Sequence, residues 1–482
     1  MSHLKGRHLI EQSLDRFDSV VSRKELRRAL RVADAIRERM AGRVLWNVNS
    51  TAVGGGVAEM LQSLLRYTRG VGVDARWIVI QGSPEFFRIT KRLHHALHGS
   101  AGDGSDLGEK ERRIYEETLH RDGAELAACV RPGDVVLLHD PQTVGLGPAL
   151  LRAGTSLIWR CHIGADHVNE EVELAWDFLA PYLQEIPAFV FSREAYVPSY
   201  CDHGKSTVIR PSIDAFSAKN RDLDDDTIRT VLVHTGLVEG PPPSPAHHEF
   251  EREDGSPGRV EHRADVIRLG RPPTWETPLV VQVSRWDPLK DFLGVMHGFA
   301  SIVDGEAPAK AQLVLAGPNV TGVTDDPEGE AVFDEVHRAW RALPDSIRDK
   351  IHLALLPTAD VEENATIVNA LQRHAAVVVQ KSLHEGFGLT VTEAMWKARP
   401  VLATAVGGIQ DQIEDGVSGV LLKDPRDREE YATALRRLLE DPVRALRLGE
   451  AARERVREHF LGVRHLLQYA RLIERLDEAA AR

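Results

Sequence analysis

This sequence predicts an α/β protein of two domains, each built on a parallel sheet, and three observations predict it. Short apolar runs recur along the chain, separated by stretches with apolar residues at helical spacing. The rhythm breaks over a stretch rich in Pro, Gly and charge, residues 239–278, and restarts at 279. At 482 residues the chain also exceeds the size at which a single hydrophobic core stops growing.

Residues 1–43 read as a charged, helical appendage on the first domain. The first domain is expected over 44–212. It opens on the strand RVLWNVN (43–49), a Gly-rich loop and a helix in which Val57, Met60, Leu61, Leu64 and Leu65 share a face and Gly70 provides a stop. Further strands are expected at 73–80, 134–139, 156–161, 188–192 and 207–210. Residues 213–278 read as a linker, with 239–278 a loop or disordered insertion. The second domain, 279–455, carries strands at 279–284, 311–317, 350–356, 375–380, 400–405 and 418–422. The helical tail 456–482 is expected to cross back to the first domain.

The composition excludes several classes. A net charge of −12 argues against unspecific binding to nucleic acid or anionic membrane, because both need a basic footprint. Cys129, Cys161 and Cys201 form no Cys-x-x-Cys pair, so neither a zinc site nor a disulfide framework is expected, and a reducing, cytoplasmic compartment fits. The N-terminal MSHLKGRHLIEQSLDRF lacks the apolar core of a secretory signal, and no run of apolar residues reaches the length of a membrane span.

Four stretches carry chemistry. In HEGFGLTVTEAMWKARP (384–400), Glu385 opens the turn Gly386-Phe387-Gly388, and a helix starting near Thr390 runs until Pro400 forbids it. The N–H groups of such a helix start attract anions, so this is a place for a diphosphate or for sugar hydroxyls. Glu393 is either a ligand residue there or the partner of Thr390 in a capping box. In VSRWDPLKD (283–291), Arg285 and Lys290 leave the C-terminal end of a strand, where parallel sheets bind ligands; they either neutralise a diphosphate or pair with Asp287 and Asp291. NSTAVGGGVAEML (49–61) is a strand–glycine loop–helix unit that matches neither a dinucleotide fingerprint nor a P-loop. His139, Asp140 and His162 stand at strand ends, where a histidine serves a sugar hydroxyl or a purely structural role. The triplet Asp224-Asp225-Asp226 reads as solvated surface rather than as a metal site.

Together these stretches resemble glycosyltransferase family 4, with Glu385 and Glu393 as its paired glutamates, Arg285 and Lys290 as its basic pair, and AVGGIQDQIEDGVSGVLL (405–422) as its C-terminal signature. Within that family the chain is most similar to the trehalose-forming glycosyltransferases. PEFFRITKRLHHALHG (84–99), HDPQ (139–142), WRCHI (159–163) and RPSID (210–214) carry that likeness, which spans roughly residues 44–470. The resemblance implies the B-type glycosyltransferase fold, two facing Rossmann-like domains with a cleft between them. It implies retaining transfer of glucose from ADP-, UDP- or GDP-glucose to glucose, giving trehalose. Arg285 and Lys290 would then hold the diphosphate. The backbone of Gly386, Phe387, Gly388, Leu389 and Thr390 would bind sugar and phosphate, Glu385 the sugar hydroxyls and Glu393 the ribose. His162 would face the reacting sugar, with Asp140, Arg160 and the loop Gly54, Gly55, Gly56 on the acceptor or closing side. No metal would be obligatory, with Mg²⁺ as a stimulant; the sequence leaves the oligomeric state open, a homodimer among the options.

Three rivals remain open at this level. The same fold could run a trehalose phosphorylase reaction or serve another small acceptor. A non-catalytic sensor of nucleotide sugar would be expected to lack one of Arg285, Lys290 and Glu385, and all three are present. A dehydrogenase would need a dinucleotide fingerprint with its acidic ribose contact, which the sequence lacks.

Overall fold

The computed structural model describes residues 4–7, 9–52, 55–199, 201–241, 248–303, 310–320 and 327–480. The chain divides into two compact units, one of Met1–Ser212 with Phe460–Arg482 and one of Ile213–His459.

The first unit holds a seven-stranded sheet of β1 (Lys5–Arg7), β2 (Leu45–Asn49), β3 (Ala75–Val79), β4 (Val135–His139), β5 (Ser156–Cys161), β6 (Ala188–Phe191) and β7 (Ser206–Val208) in the order β1-β3-β2-β4-β5-β6-β7. All neighbours are parallel except β1, which pairs antiparallel with β3. Both faces are covered, so side chains alternate between two cores. Trp46, Val48, Val136, Leu138, Leu157 and Trp159 enter one, with Phe86, Leu93, Leu119 and Phe178 from its helices. Leu45, Val135, Leu137 and Ile158 enter the other, with Leu61 and Leu65 of helix Gly56–Gly70 and Leu472 and Ile473 of the C-terminal helix Gly462–Ala480. Arg43 fastens that last helix by a two-pronged contact to Asp477, at 2.9 and 3.0 Å.

The second unit contains the hairpin β8 (Glu249–Glu251) and β9 (Pro257–Arg259), and a second seven-stranded sheet of β10 (Asp265–Ile267), β11 (Leu279–Val283), β12 (Gln312–Pro318), β13 (Ile351–Leu356), β14 (Val377–Gln380), β15 (Val401–Thr404) and β16 (Val420–Leu422). The order β10-β13-β12-β11-β14-β15-β16 is that of a Rossmann sheet with an antiparallel edge strand, and the chain changes winding direction between β11 and β14. In the first unit the corresponding change lies between β2 and β4. Ligands of open α/β sheets bind outside the strand ends at such a point. The parallel strands of both sheets stand where the apolar runs predict them.

Two expectations are corrected. The appendage 1–43 is not all helix: β1 precedes the helix Arg23–Arg39 and completes the sheet edge. The stretch 239–278 is not a plain loop, since it supplies β8, β9 and the edge strand β10; residues 242–247 of it lie outside the described residues. These strands are three residues long, too short for periodicity to reveal, and tertiary contacts hold them. Glu363, buried at the start of helix Val361–His374, accepts from the backbone N–H of Glu261 (2.6 Å) and of His262 (2.7 Å), and Arg252 pairs with Asp360. The acidic triplet stands as expected, exposed at the surface, and Asp224 also caps helix Asp225–His234 by accepting from the Thr227 N–H at 2.7 Å.

Candidate functional site

In the second unit the chemistry gathers where β11 and β14 end side by side. After β11, Asp287 accepts from the Leu289 N–H at 2.8 Å and starts the short 3₁₀ turn Pro288–Lys290. Gln282, at the end of the strand, donates to the Lys290 carbonyl at 2.8 Å, and Asp291 takes a left-handed conformation (φ 49°) before helix Phe292–Val303. After β14, the Leu383 N–H donates to the Leu289 carbonyl at 2.8 Å, which ties the two loops together.

This tie brings Lys290 and Glu385 together: Lys290 Nζ donates to Glu385 Oε2 at 2.6 Å, and the side chains are 16% and 13% exposed. The Ser382 hydroxyl also donates to Glu385 Oε2, at 3.3 Å. Below them Lys381, almost without exposed surface, pairs with Asp291 and donates to the Pro425 carbonyl at 2.6 Å.

The turn Gly386-Phe387-Gly388 leads into helix Leu389–Trp396. Gly388 is its N-cap, in the left-handed region at φ 82°, and a Cβ there would sit 3.1 Å from the Glu385 Cγ. Glycine is therefore required both by the backbone angle and by the approach of Glu385. No side chain caps this helix start. The capping-box reading of Glu393 is thereby overturned: Thr390 donates instead to Gln380 Oε1 at 3.2 Å, and Glu393 lies too far into the helix to serve the cap. Glu393 is buried, with Lys219 Nζ 3.6 Å from its Oε1. Lys397, one turn further on and fully buried, donates to the Glu393 carbonyl at 3.1 Å, and burial pulls its ammonium down to about 7.

Arg285 stands differently from its expected partner Lys290. Trp286 packs into the core and donates to the Pro318 carbonyl at 2.9 Å, so its neighbour Arg285 is turned outward, 69% exposed and 3.7 Å from Asp287. The structure joins Lys290 to Glu385 and pairs Arg285 with Asp287.

In the first unit a polar cluster lies at the ends of β2, β4 and β5. His139 Nε2 is 3.0 Å from Asn47 Oδ1, and His139 Nδ1 is 3.2 Å from His162 Nε2. With Asn47 Oδ1 accepting, His139 carries its proton on Nε2 and accepts from His162 on Nδ1. Burial, reinforced by the Arg160 guanidinium, lowers His139 to about 3 and His162 well below its ordinary value, so both rings are neutral at pH 7. Asp140 has a left-handed backbone (φ 62°), an uncommon conformation for a residue other than glycine; its N–H donates to the Arg160 carbonyl at 2.8 Å and its carboxyl accepts from the His162 N–H at 2.7 Å. Burial raises that carboxyl to about 7. Arg160 itself has no exposed surface. It donates to the Tyr469 hydroxyl at 3.5 Å and to the Ser192 hydroxyl at 3.4 Å, so its guanidinium is buried rather than lining an open site.

Of the glycine loop, Gly54 lies outside the described residues; Gly55 (φ 85°) is the N-cap of helix Gly56–Gly70 and has no side chain to cap it. The residues that motif reading missed are Asn47, Ser192 and Tyr469 in the first unit, and Lys219 and Lys397 in the second. Lys397 was within reach of sequence reasoning, because it follows Glu393 by one helical turn. Among the described residues no group of three or more His, Cys, Asp or Glu side chains is arranged to hold a metal ion, and no helix is long and apolar enough to cross a membrane.

The chain is similar to known proteins over nearly its whole length. Residues 47–198 match the family model "Trehalose synthase, N-terminal domain", and residues 275–455 match "Glycosyl transferases group 1". The trehalose synthase of Pyrococcus horikoshii is 33% identical over 466 residues, covering 97% of each chain. The trehalose phosphorylase of Pleurotus pulmonarius is 27% identical over 93% of this chain but 59% of its own length. Among solved structures, a UDP-forming α,α-trehalose-phosphate synthase from Burkholderia xenovorans superposes with a TM-score of 0.65 at 15% identity, covering 90% of this chain and 99% of the other. That likeness shows the fold: two Rossmann-like domains of the B-type glycosyltransferase architecture. With sequence identity extending over nearly its whole length, the chain belongs to the trehalose synthase family of glycosyltransferases.

Proposed function

We propose that the protein transfers glucose, with retention of configuration, from a nucleotide-diphosphate glucose to glucose, forming α,α-trehalose. The observation that carries this reading is the Lys290–Glu385 contact at the point where the second sheet changes winding direction, within a chain whose full-length relative is a trehalose synthase. Lys290 and Arg285 are the cations that bind the diphosphate and stabilise its charge as it leaves. The uncapped N–H groups at Gly388, Leu389 and Thr390, with those of Gly386 and Phe387, receive phosphate and sugar oxygens. Glu385 accepts from donor-sugar hydroxyls, and Glu393 accepts from the ribose. On the acceptor side Asp140 and His162 bind sugar hydroxyls, Arg160 supports them, and the loop 54–56 closes over the reacting groups.

The bond from the anomeric carbon to the leaving phosphate oxygen breaks as the bond to the acceptor oxygen forms. The acceptor's proton passes to the leaving phosphate, so no protein base is needed at the anomeric carbon. Metal is not obligatory in this reading, and Mg²⁺ raises turnover without being required. Three unpaired cysteines support a reducing, cytoplasmic setting.

The test is to incubate the purified protein with ADP-, UDP- or GDP-glucose and with glucose, in EDTA and in Mg²⁺, and to identify the disaccharide by NMR. Trehalose and free nucleoside diphosphate are expected, in EDTA as well. Absence of a disaccharide with every donor would sink the reading. A phosphorolytic reaction is the second reading, supported by the match to the Pleurotus phosphorylase. Its mark is glucose 1-phosphate released from trehalose and inorganic phosphate without nucleotide.

A further inference from the structure

The first residues of the second unit form a compact turn against the helix that carries Glu393. Asn220 organises it. Its side-chain amide donates to the Asp214 carbonyl at 3.0 Å and to the Ser217 hydroxyl at 3.2 Å, which closes the turn. Its backbone carbonyl accepts from Trp396 Nε1 and from the Arg373 guanidinium, each at 3.1 Å. Its side-chain oxygen accepts from Lys397 Nζ at 3.1 Å. With both ends of Asn220 anchored, its neighbour Lys219 is held over the helix, where its ammonium lies 3.6 Å from Glu393 Oε1.

Glu393 needs a counter-charge, because its side chain is only 4% exposed and a buried carboxylate without one is costly. Two ammonium groups stand near it. Lys397 is buried, and burial weakens its hold on its proton, lowering it to about 7. Lys219 keeps 22% of its side chain exposed and touches the carboxylate itself. We propose that Lys219 is a positioning residue for nucleotide binding: it holds the Glu393 carboxylate ionised and aimed so that it accepts from the hydroxyls of the donor's ribose. The inference rests on the proposed role of Glu393, and it adds a residue from the turn 214–220 to the nucleotide site.

The experiment measures binding of a nucleoside diphosphate and of its 2′,3′-dideoxy analogue by calorimetry, using the base that wild type binds best. Wild type, Lys219→Met, Lys219→Gln, Lys219→Arg, Glu393→Gln and the double variant Lys219→Met with Glu393→Gln are compared, with melting temperatures alongside. Wild type is expected to prefer the ribonucleotide. Lys219→Met and Lys219→Gln are expected to lose about 3- to 30-fold in affinity for it and little for the analogue. Lys219→Arg should restore most of the preference, and the double variant should bind no more weakly than Glu393→Gln alone. If Glu393→Gln loses the preference while both neutral Lys219 variants keep it, Lys219 has no such role and the ribose reading stands. A lower melting temperature in the Lys219 variants with an unchanged preference also overturns the proposal, since it marks a structural residue. If Glu393→Gln itself keeps the preference, the ribose reading fails and the proposal fails with it.

Discussion

Lys290 Nζ lies 2.6 Å from Glu385 Oε2 although the two residues are 95 positions apart, because the strands that deliver them are neighbours in the sheet and their loops share a backbone hydrogen bond. Each side chain therefore orders the other. Lys290→Ala and Glu385→Gln should each lower kcat/KM by about 10- to 150-fold, the range for a lost charge-assisted contact. Glu385→Gln should act mainly on kcat and leave affinity for the free nucleoside diphosphate nearly unchanged, whereas Lys290→Ala should weaken both. Steady-state kinetics with nucleotide titration separates the two, and normal turnover by Glu385→Gln would remove it from the site.

Arg285 offers a contrast, because it is exposed and its ion pair with Asp287 is a surface one at 3.7 Å. Arg285→Ala is expected to change the melting temperature by no more than the ordinary surface range of about 0.5 kcal/mol while costing about tenfold in turnover. Thermal unfolding and kinetics on the same preparation check this. A stability loss without a kinetic loss would reverse the assignment.

Acid should destabilise the fold from about pH 6.5 downward. His139 and His352 are lowered to about 3, both chiefly by burial, and His162 and His465 lie well below the ordinary value. Between those values and the unfolded value near 6.5 the unfolded chain binds more protons, so stability rises with pH there and is lost as pH falls. Asp140, raised to about 7 by burial, works in the opposite sense. His352→Gln should flatten the slope of stability between pH 5 and 6.5 by up to about 1.4 kcal/mol per pH unit, read from urea unfolding across pH. An unchanged slope would show that this ring binds its proton as readily in the folded chain as in the unfolded one.

The contacts of Glu363 predict that the segment after residue 239 is structural. Glu363→Ala removes the acceptor of two backbone N–H groups and of His262, and should cost about 1–3 kcal/mol. Glu363→Gln keeps an acceptor oxygen and should cost less. Replacing 249–267 by a Gly/Ser linker should lower the melting temperature of the second unit, because it removes the edge strand β10. Unchanged unfolding after that replacement would return the segment to the status of a loop.

Much of this protein was legible in the sequence because its long strands are buried on both faces. Such strands read as continuous apolar runs, and the runs at 134–139, 279–284 and 350–356 coincide with β4, β11 and β13 almost residue for residue. The glycine turn at 386–388 was legible for a different reason, since a left-handed helix cap beside a crowding carboxylate leaves glycine as the residue that fits. Strands β1, β8, β9 and β10 were not legible: three residues carry no measurable period, and their existence depends on partners such as β3, β13 and Glu363 that are distant in sequence.

The chain's own residues determined the α/β class, the positions of the parallel strands and the identity of the charged residues at their ends. These follow from local pattern and from the chemistry of side chains next to glycine and proline. The tertiary structure decided which of those residues meet. It joined Lys290 to Glu385 and turned Arg285 outward, it moved the helix cap from Thr390 to Gly388, and it brought Lys219 to Glu393 across 174 positions of chain. Strand order in a sheet and the seating of a buried side chain are set by long-range packing. A window of sequence holds one partner of each such contact, and only the folded sheet supplies the other.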